Sequence, residues 1–215
     1  MYPQGPTSKA QVKSTEYDAQ EISVTDLGSV HLHGPFGNTT SKVKIAYLIG
    51  MHPLESKSHR ALFDKLTNKD NLNYCYYIYN IDVSPESESE GRLEGQTLAK
   101  DFVLPHILNE KYDLFVDIHS NRGNQGPGGY EITNFVFMPG FDTLSSKFIN
   151  EIIKNIDEIS FYIPEFRTSP PFITEPSAKA GIATIVYECF TYESMETTYN
   201  LAEKLIKCID NITFF

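Results

Sequence analysis

Apolar runs alternate with apolar stripes along this chain. Val43 to Ile49 is almost continuously apolar, the pattern of a strand covered on both faces. Asn71 to Ile81 (with Tyr74, Tyr76, Tyr77, Ile78 and Tyr79), Tyr112 to Ile118 and Ile182 to Tyr187 also read as buried strands. Between them lie stretches with helical spacing. Ala61, Leu62 and Leu66 mark Ser58 to Thr67, and Leu98, Phe102, Val103 and Ile107 mark Leu93 to Leu108. Phe141 to Ile156 and Glu193 to Ile209 follow. Pro105 should kink or divide the second helix, because proline has no N–H and crowds the preceding turn. Glu21 to Val24 and Ser29 to His33 flank Asp26-Leu27-Gly28, a hairpin signal. Asn134 to Met138 reads as a short strand and Phe161 to Pro176 as irregular, proline-broken chain. Strands that alternate with helices predict a three-layer α/β sandwich. Residues 1–18 are polar, with Pro and Gly, and read as a flexible arm; residues 19–215 read as a single α/β domain.

Composition narrows the partners. A length of 215 residues suffices for one α/β domain with a substantial core. The net charge of −10 argues against nucleic acid and against anionic membranes. Cys75, Cys189 and Cys208 are scattered, with no disulfide framework or zinc knuckle among them. The first residues lack the basic and apolar segments of a signal peptide. No apolar run reaches the ~20 residues that span a bilayer. These features predict a soluble cytoplasmic protein with reduced thiols.

Three predicted strands run into chemistry at one edge. The first passes through Gly50 to deliver His52 and Glu55; the second ends at His119 and the third at Glu188. In open α/β sheets ligands bind at the carboxyl edge of the strands. Two imidazoles and a carboxylate are a usual shell for catalytic zinc, with a fourth position left to water. The His-x-x-Glu spacing lets both side chains turn toward one ion from a tight strand-to-helix junction. Zinc lowers the pKa of its water to about 7, and Glu188 is the candidate general base. The expectation is one zinc per chain.

Gly50-Met51-His52-Pro53-Leu54-Glu55, then Val116-Asp117-Ile118-His119-Ser120, then Ala180-Gly181-Ile182-Ala183-Thr184-Ile185-Val186-Tyr187-Glu188 resemble, in that order, the zinc carboxypeptidases. The resemblance is nearest their succinylglutamate desuccinylase/aspartoacylase branch. It implies a mixed, mostly parallel sheet with helices on both faces. It implies zinc on His52, Glu55 and His119, Glu188 as general base, and hydrolysis of an amide beside a carboxylate. The substrate would be a small molecule or short peptide. The chain departs from the family at the Asn-Arg pair expected between the two ligand segments. Arg92 is the only arginine there after the helix following Glu55, and Glu90-Gly91 precede it. Arg92 is therefore the candidate for stabilising the oxyanion or the substrate carboxylate. Asn121 and Arg122 are candidates for substrate binding, since an arginine can clamp a carboxylate bidentately. Tyr162 and Tyr187 are candidates for a substrate-contacting tyrosine. The glycine-rich loop 123–130 could close over the substrate.

Other readings stay open on the residues alone. A degenerate relative would bind metal or peptide without turnover. A cysteine hydrolase would use Cys189 with His119, although strand alternation points Cys189 away from Glu188's side. His59, four residues after Glu55, shares its helical face and offers an alternative ligand. His31 and His33 read as exposed on an edge hairpin, and His106 has no visible partner.

Overall fold

The computed structural model describes residues 19–85, 91–126, 129–140, 142–165 and 167–214. The N-terminal arm and residues 86–90 of the acidic loop lie outside them. The strands are β1 (Ala19–Thr25), β2 (Gly28–Gly37), β3 (Lys44–Ile49), β4 (Cys75–Val83), β5 (Leu114–Asn121), β6 (Phe135–Phe137), β7 (Ser160–Phe161) and β8 (Ala183–Phe190). The helices are α1 (Ser56–Thr67), α2 (Arg92–Leu98), α3 (Leu104–Glu110), α4 (Thr143–Asn155), α5 (Thr174–Lys179) and α6 (Met195–Asp210).

The strands form one mixed sheet in the order β1-β2-β4-β3-β5-β8-β6-β7. Its centre, β4-β3-β5-β8, is parallel, and β2 and β6 flank it antiparallel. Both faces of the central strands are buried, which accounts for their unbroken apolar runs. On one face α1, α4 and α6 cover the sheet: Leu62, Phe63 and Leu66, Phe148 and Ile152, and Leu205 and Ile209 pack against Tyr47, Val116 and Ile185. On the other, α2 and α3 and the turns between them bring Leu98, Val103 and Ile107 onto Ala46, Leu48 and Phe115. The expected α/β sandwich with helices on both faces is thus the observed one. Among the described residues no helix is long and apolar enough to cross a membrane.

Several features differ from the sequence expectation, each for a physical reason. The long helix is interrupted by a wider turn at Ala99–Val103, one turn before Pro105. Proline cannot donate to the carbonyl four residues back, so the irregular turn precedes it and Pro105 sits in the first turn of α3. Strands β5 and β8 run on to Asn121 and Phe190, so His119 and Glu188 lie within paired strands rather than beyond them. His33 is not exposed. Strand β2 is second in the sheet, with β1 outside it, and the Phe63 ring meets the His33 ring edge-on at 5.1 Å.

Candidate metal centre

Two glycines shape the approach to His52. Gly50 follows β3 with φ of 84°, and a Cβ there would stand 2.0 Å from the Ile81 carbonyl oxygen. Only glycine takes that turn at that distance. The chain then leaves the sheet through Pro53–Glu55, a single tight turn closed by Glu55 N–H donating to the His52 carbonyl at 3.0 Å. Gly95 of α2 lies so close to Met51 that a Cβ would sit 1.9 Å from its carbonyl oxygen. That contact brings the neighbouring Gln96 onto the His52 ring.

The side chains converge on Glu55. Its Oε1 lies 2.9 Å from His52 Nδ1 and its Oε2 lies 2.9 Å from His119 Nδ1. The two imidazole centroids are 4.6 Å apart. Ser120 N–H donates to Glu55 Oε2 at 2.9 Å. The outer nitrogens are held as well. His119 Nε2 meets Asp117 Oδ2 at 3.0 Å, and His52 Nε2 lies 3.2 Å from Ser169 Oγ and 3.3 Å from the Gln96 amide. Arg92 reaches Glu55 Oε1 at 3.5 Å and donates to Thr168 Oγ1 at 3.2 Å.

This geometry sets the charges. Burial pulls His52 below its usual value, although Glu55 works against it. Burial opposes charge on His119 too, yet the carboxylates of Asp117 and Glu55 hold its pKa well above the usual range. For Glu55 burial favours the neutral acid, but His52 and His119 outweigh it and keep the carboxyl well below its ordinary value. Glu188 differs. Burial pushes it up to about 8, with His119 pulling the other way.

The donor set suits a metal. One atom each from His52, Glu55 and His119 lies within 4.8 Å of the others. Two imidazole nitrogens and a carboxylate oxygen are borderline-soft donors of the zinc type. Each ring's remaining nitrogen is fixed by a neighbour, as expected around a metal-bound imidazole. A metal that displaced the shared protons between Glu55 and the rings would meet donors already aimed at it.

A cavity of about 330 Å³ opens in front of this cluster, lined by His52, Glu55, Arg92, Asn121, Arg122 and Glu188 among others. A smaller recess of about 30 Å³ adjoins it, lined by Arg92, Arg167, Tyr130, Phe137 and Glu188. Three of the chain's four arginines thus face these spaces, the fourth being Arg60 on α1. Arg92, Asn121, Arg122 and Glu188 are therefore brought to the same place as the metal-competent trio. Asn121 is heavily engaged there: Nδ2 donates to Thr133 O at 2.8 Å and to Glu188 Oε2 at 3.4 Å, while Oδ1 accepts from Gly123 N–H. Tyr187 lies in the opposite core, buried, and Tyr162 packs on Tyr130 and Phe135. Cys189 also belongs to that opposite core, where burial raises its thiol to about 11. His106 accepts or donates at the Tyr79 hydroxyl, 2.5 Å from Nδ1. Of the glycine-rich loop, residues 127 and 128 lie outside the described ones. Sequence reasoning missed Gln96, Ser169, Arg167 and Tyr130. Only Gly95, a glycine inside a helical stripe, hinted at a close approach near Gln96.

No protein-family profile matches the chain, and no curated protein matches it by sequence. Solved structures do match. A metallo-carboxypeptidase from Burkholderia cenocepacia shares 14% identity at a TM-score of 0.55, covering 89% of this chain and 64% of that one. The cell shape determinant Csd4 from Helicobacter pylori shares 9% identity at 0.57, over 84% of this chain and 54% of that one. A succinylglutamate desuccinylase/aspartoacylase from Rhodobacter sphaeroides shares 11% at 0.50, over 85% and 57%. The chain spans less than two thirds of the length of each. At these identities the likeness is one of fold: the chain has the α/β fold seen in metallocarboxypeptidases and in succinylglutamate desuccinylase/aspartoacylase.

Proposed function

We propose that this chain is a zinc-dependent hydrolase that cleaves an amide bond in a small molecule or short peptide bearing a carboxylate. The supporting observation is the convergence of His52 Nδ1, His119 Nδ1 and the Glu55 carboxylate, with both outer nitrogens restrained. His52, Glu55 and His119 hold one zinc per chain. Zinc, when bound there, supplies Lewis acidity toward the carbonyl and makes water a better nucleophile near neutral pH. Glu188, on the strand beside His119 and largely buried, would be returned to its carboxylate form by the positive charge of zinc bound nearby. It then takes the proton of the attacking water and passes it to the leaving amine nitrogen. Arg92, Arg122 and Arg167 give an acidic protein a locally cationic cavity suited to a carboxylate. Arg92, nearest the cluster, stabilises the charge that develops on the carbonyl oxygen. Asn121 steadies the Glu188 carboxylate and lines the substrate cavity. A Csd4 structure holds a tripeptide, which supports a peptide as one substrate class. The three free cysteines suit the reducing cytoplasm.

A second reading, a metal- or peptide-binding module without turnover, draws on Arg92, whose guanidinium sits 3.5 Å from a Glu55 oxygen. Elemental mass spectrometry of the purified protein tests the first step. About one zinc per chain, lost in His119→Ala, is expected. Hydrolysis of N-acyl amino acids or short peptides, stopped by a chelator, then separates the enzyme from the module. A protein that neither carries zinc nor takes it up on reconstitution refutes the zinc enzyme and the zinc-binding module, and leaves only a module that binds peptide.

A further inference from the structure

We infer that His59 is a spacer between β3 and β5 that sets the distance between the two strand ends carrying His52 and His119. The inference rests on the metal reading for its consequence, and on the ring geometry for itself. The parallel ladder between β3 and β5 stops at Leu48 opposite Asp117. One step further, at the place of the next rung, lies an imidazole. Gly50 N–H donates to His59 Nδ1 at 3.2 Å, and His59 Nε2 donates to the Ile118 carbonyl at 2.9 Å. The ring comes from α1 and is 2% exposed. It joins two strands that no longer bond each other directly. One anchor lies two residues before His52, and the other is the residue before His119.

The partners dictate the ring's state. An amide N–H can only donate and a carbonyl can only accept, so Nδ1 is bare and Nε2 carries the proton. A charged imidazolium would set a proton on Nδ1 against the Gly50 N–H. With both nitrogens committed to backbone, His59 is not a ligand alternative to His52 or His119. The neighbouring Ser58 acts in the same direction: its hydroxyl donates to the Glu55 carbonyl at 3.0 Å and lies 2.7 Å from the Ser120 hydroxyl. The first turn of α1 therefore ties the Glu55 backbone, the end of β3 and the end of β5 together. His59 is a positioning residue in this arrangement and touches none of the reacting groups.

The ring itself is read by long-range proton–nitrogen correlation NMR on the metal-free parent, with His59 assigned by comparison with His59→Gln. At pH 7 a pyridine-type Nδ1 and a protonated Nε2 are expected. An imidazolium, or a proton on Nδ1, overturns the spacer. Zinc affinity, measured by competition with a chromophoric chelator, is expected to fall about tenfold to a hundredfold in His59→Leu. It is expected to recover in part in His59→Gln, whose amide retains one donor group and one acceptor. Equal affinity in all three proteins overturns the proposal. If His59→Leu does not fold, the parent ring spectrum and the parent-to-Gln comparison decide alone. A parent that binds no zinc refutes the metal reading and the affinity consequence, while the metal-free spectrum still decides whether His59 bridges the strands.

Discussion

Asp117 Oδ2 lies 3.0 Å from Nε2 of His119, which leaves Nδ1 of that ring turned to Glu55 at 2.9 Å. The carboxylate thus chooses the nitrogen that faces the candidate metal site. Asp117→Ala should lower zinc affinity about tenfold to a hundredfold. Asp117→Asn keeps an acceptor and should lose less. Chelator competition on the two variants measures this, and unchanged affinity in both would show that Asp117 does not orient the ring.

Glu188 lies beside His119 in register, on the adjacent strand. Glu188→Gln preserves size and the Asn121 contact but cannot accept the proton. The variant should keep its zinc and lose turnover by about 10²–10⁴-fold, the usual contribution of general acid–base catalysis. Metal analysis and steady-state kinetics on one preparation check both halves. Normal turnover would remove Glu188 from the mechanism.

The cationic cavity makes a prediction about binding. Arg122→Ala and Arg167→Ala should each raise KM for a carboxylate-bearing substrate about tenfold, as the loss of a charge-assisted hydrogen bond implies. An amidated analogue of the same substrate should show little difference between parent and variants. If the amide and the acid respond alike, the arginines do not read the carboxylate.

Acid should weaken the fold through His33. The ring is fully buried, and neither nitrogen has a hydrogen-bond partner among the described residues. Burial, with a smaller contribution from His31, lowers its pKa from 6.5 to about 4. Between those values the unfolded chain binds the proton and the folded one does not. The stabilisation is therefore complete above 6.5 and is lost as pH falls toward 4. Its loss should be about 2 kcal/mol by pH 5. Urea midpoints at pH 7 and pH 5 measure it, and His33→Phe should narrow the difference. An unchanged pH dependence in that variant would assign the acid sensitivity elsewhere.

Asp210 closes the C-terminal helix onto the sheet. It accepts the Asn73 N–H at 2.8 and 3.1 Å and the Tyr76 hydroxyl at 2.7 Å. Asp210→Ala strands these donors, and the Tyr76 side chain is fully buried. The expected cost is about 2–4 kcal/mol. Tyr76→Phe removes one donor together with its need for a partner and should cost about 1 kcal/mol or less. Denaturant titrations rank the two, and a smaller loss in Asp210→Ala than in Tyr76→Phe would contradict this account.

The apolar run of β3 and the spacing of His52 and Glu55 made the central strand and its turn legible, because both are local facts. The extent of β5 and β8 was not local. Ser120 and Asn121 continue a strand only because Cys189 and Phe190 pair with them from distant sequence. His33 was misread for the same reason, since its burial depends on β1 lying outside β2 and on Phe63 arriving from α1. Gln96 and Ser169 could not be connected to His52 by spacing, being 44 and 117 residues away. The alternation rule did place Cys189 on the opposite side from Glu188, because that depends on neighbours alone.

The proposed ligands and base sit on or directly after β3, β5 and β8, three consecutive strands in the interior of the sheet. Interior strands exchange their amide hydrogens only when a protein opens almost completely. The frame of this centre should then belong to the last part of the molecule to come apart. Under denaturant, loss of metal retention and loss of secondary structure should follow a single curve. Fraying of β1 at the outer edge should leave the centre intact.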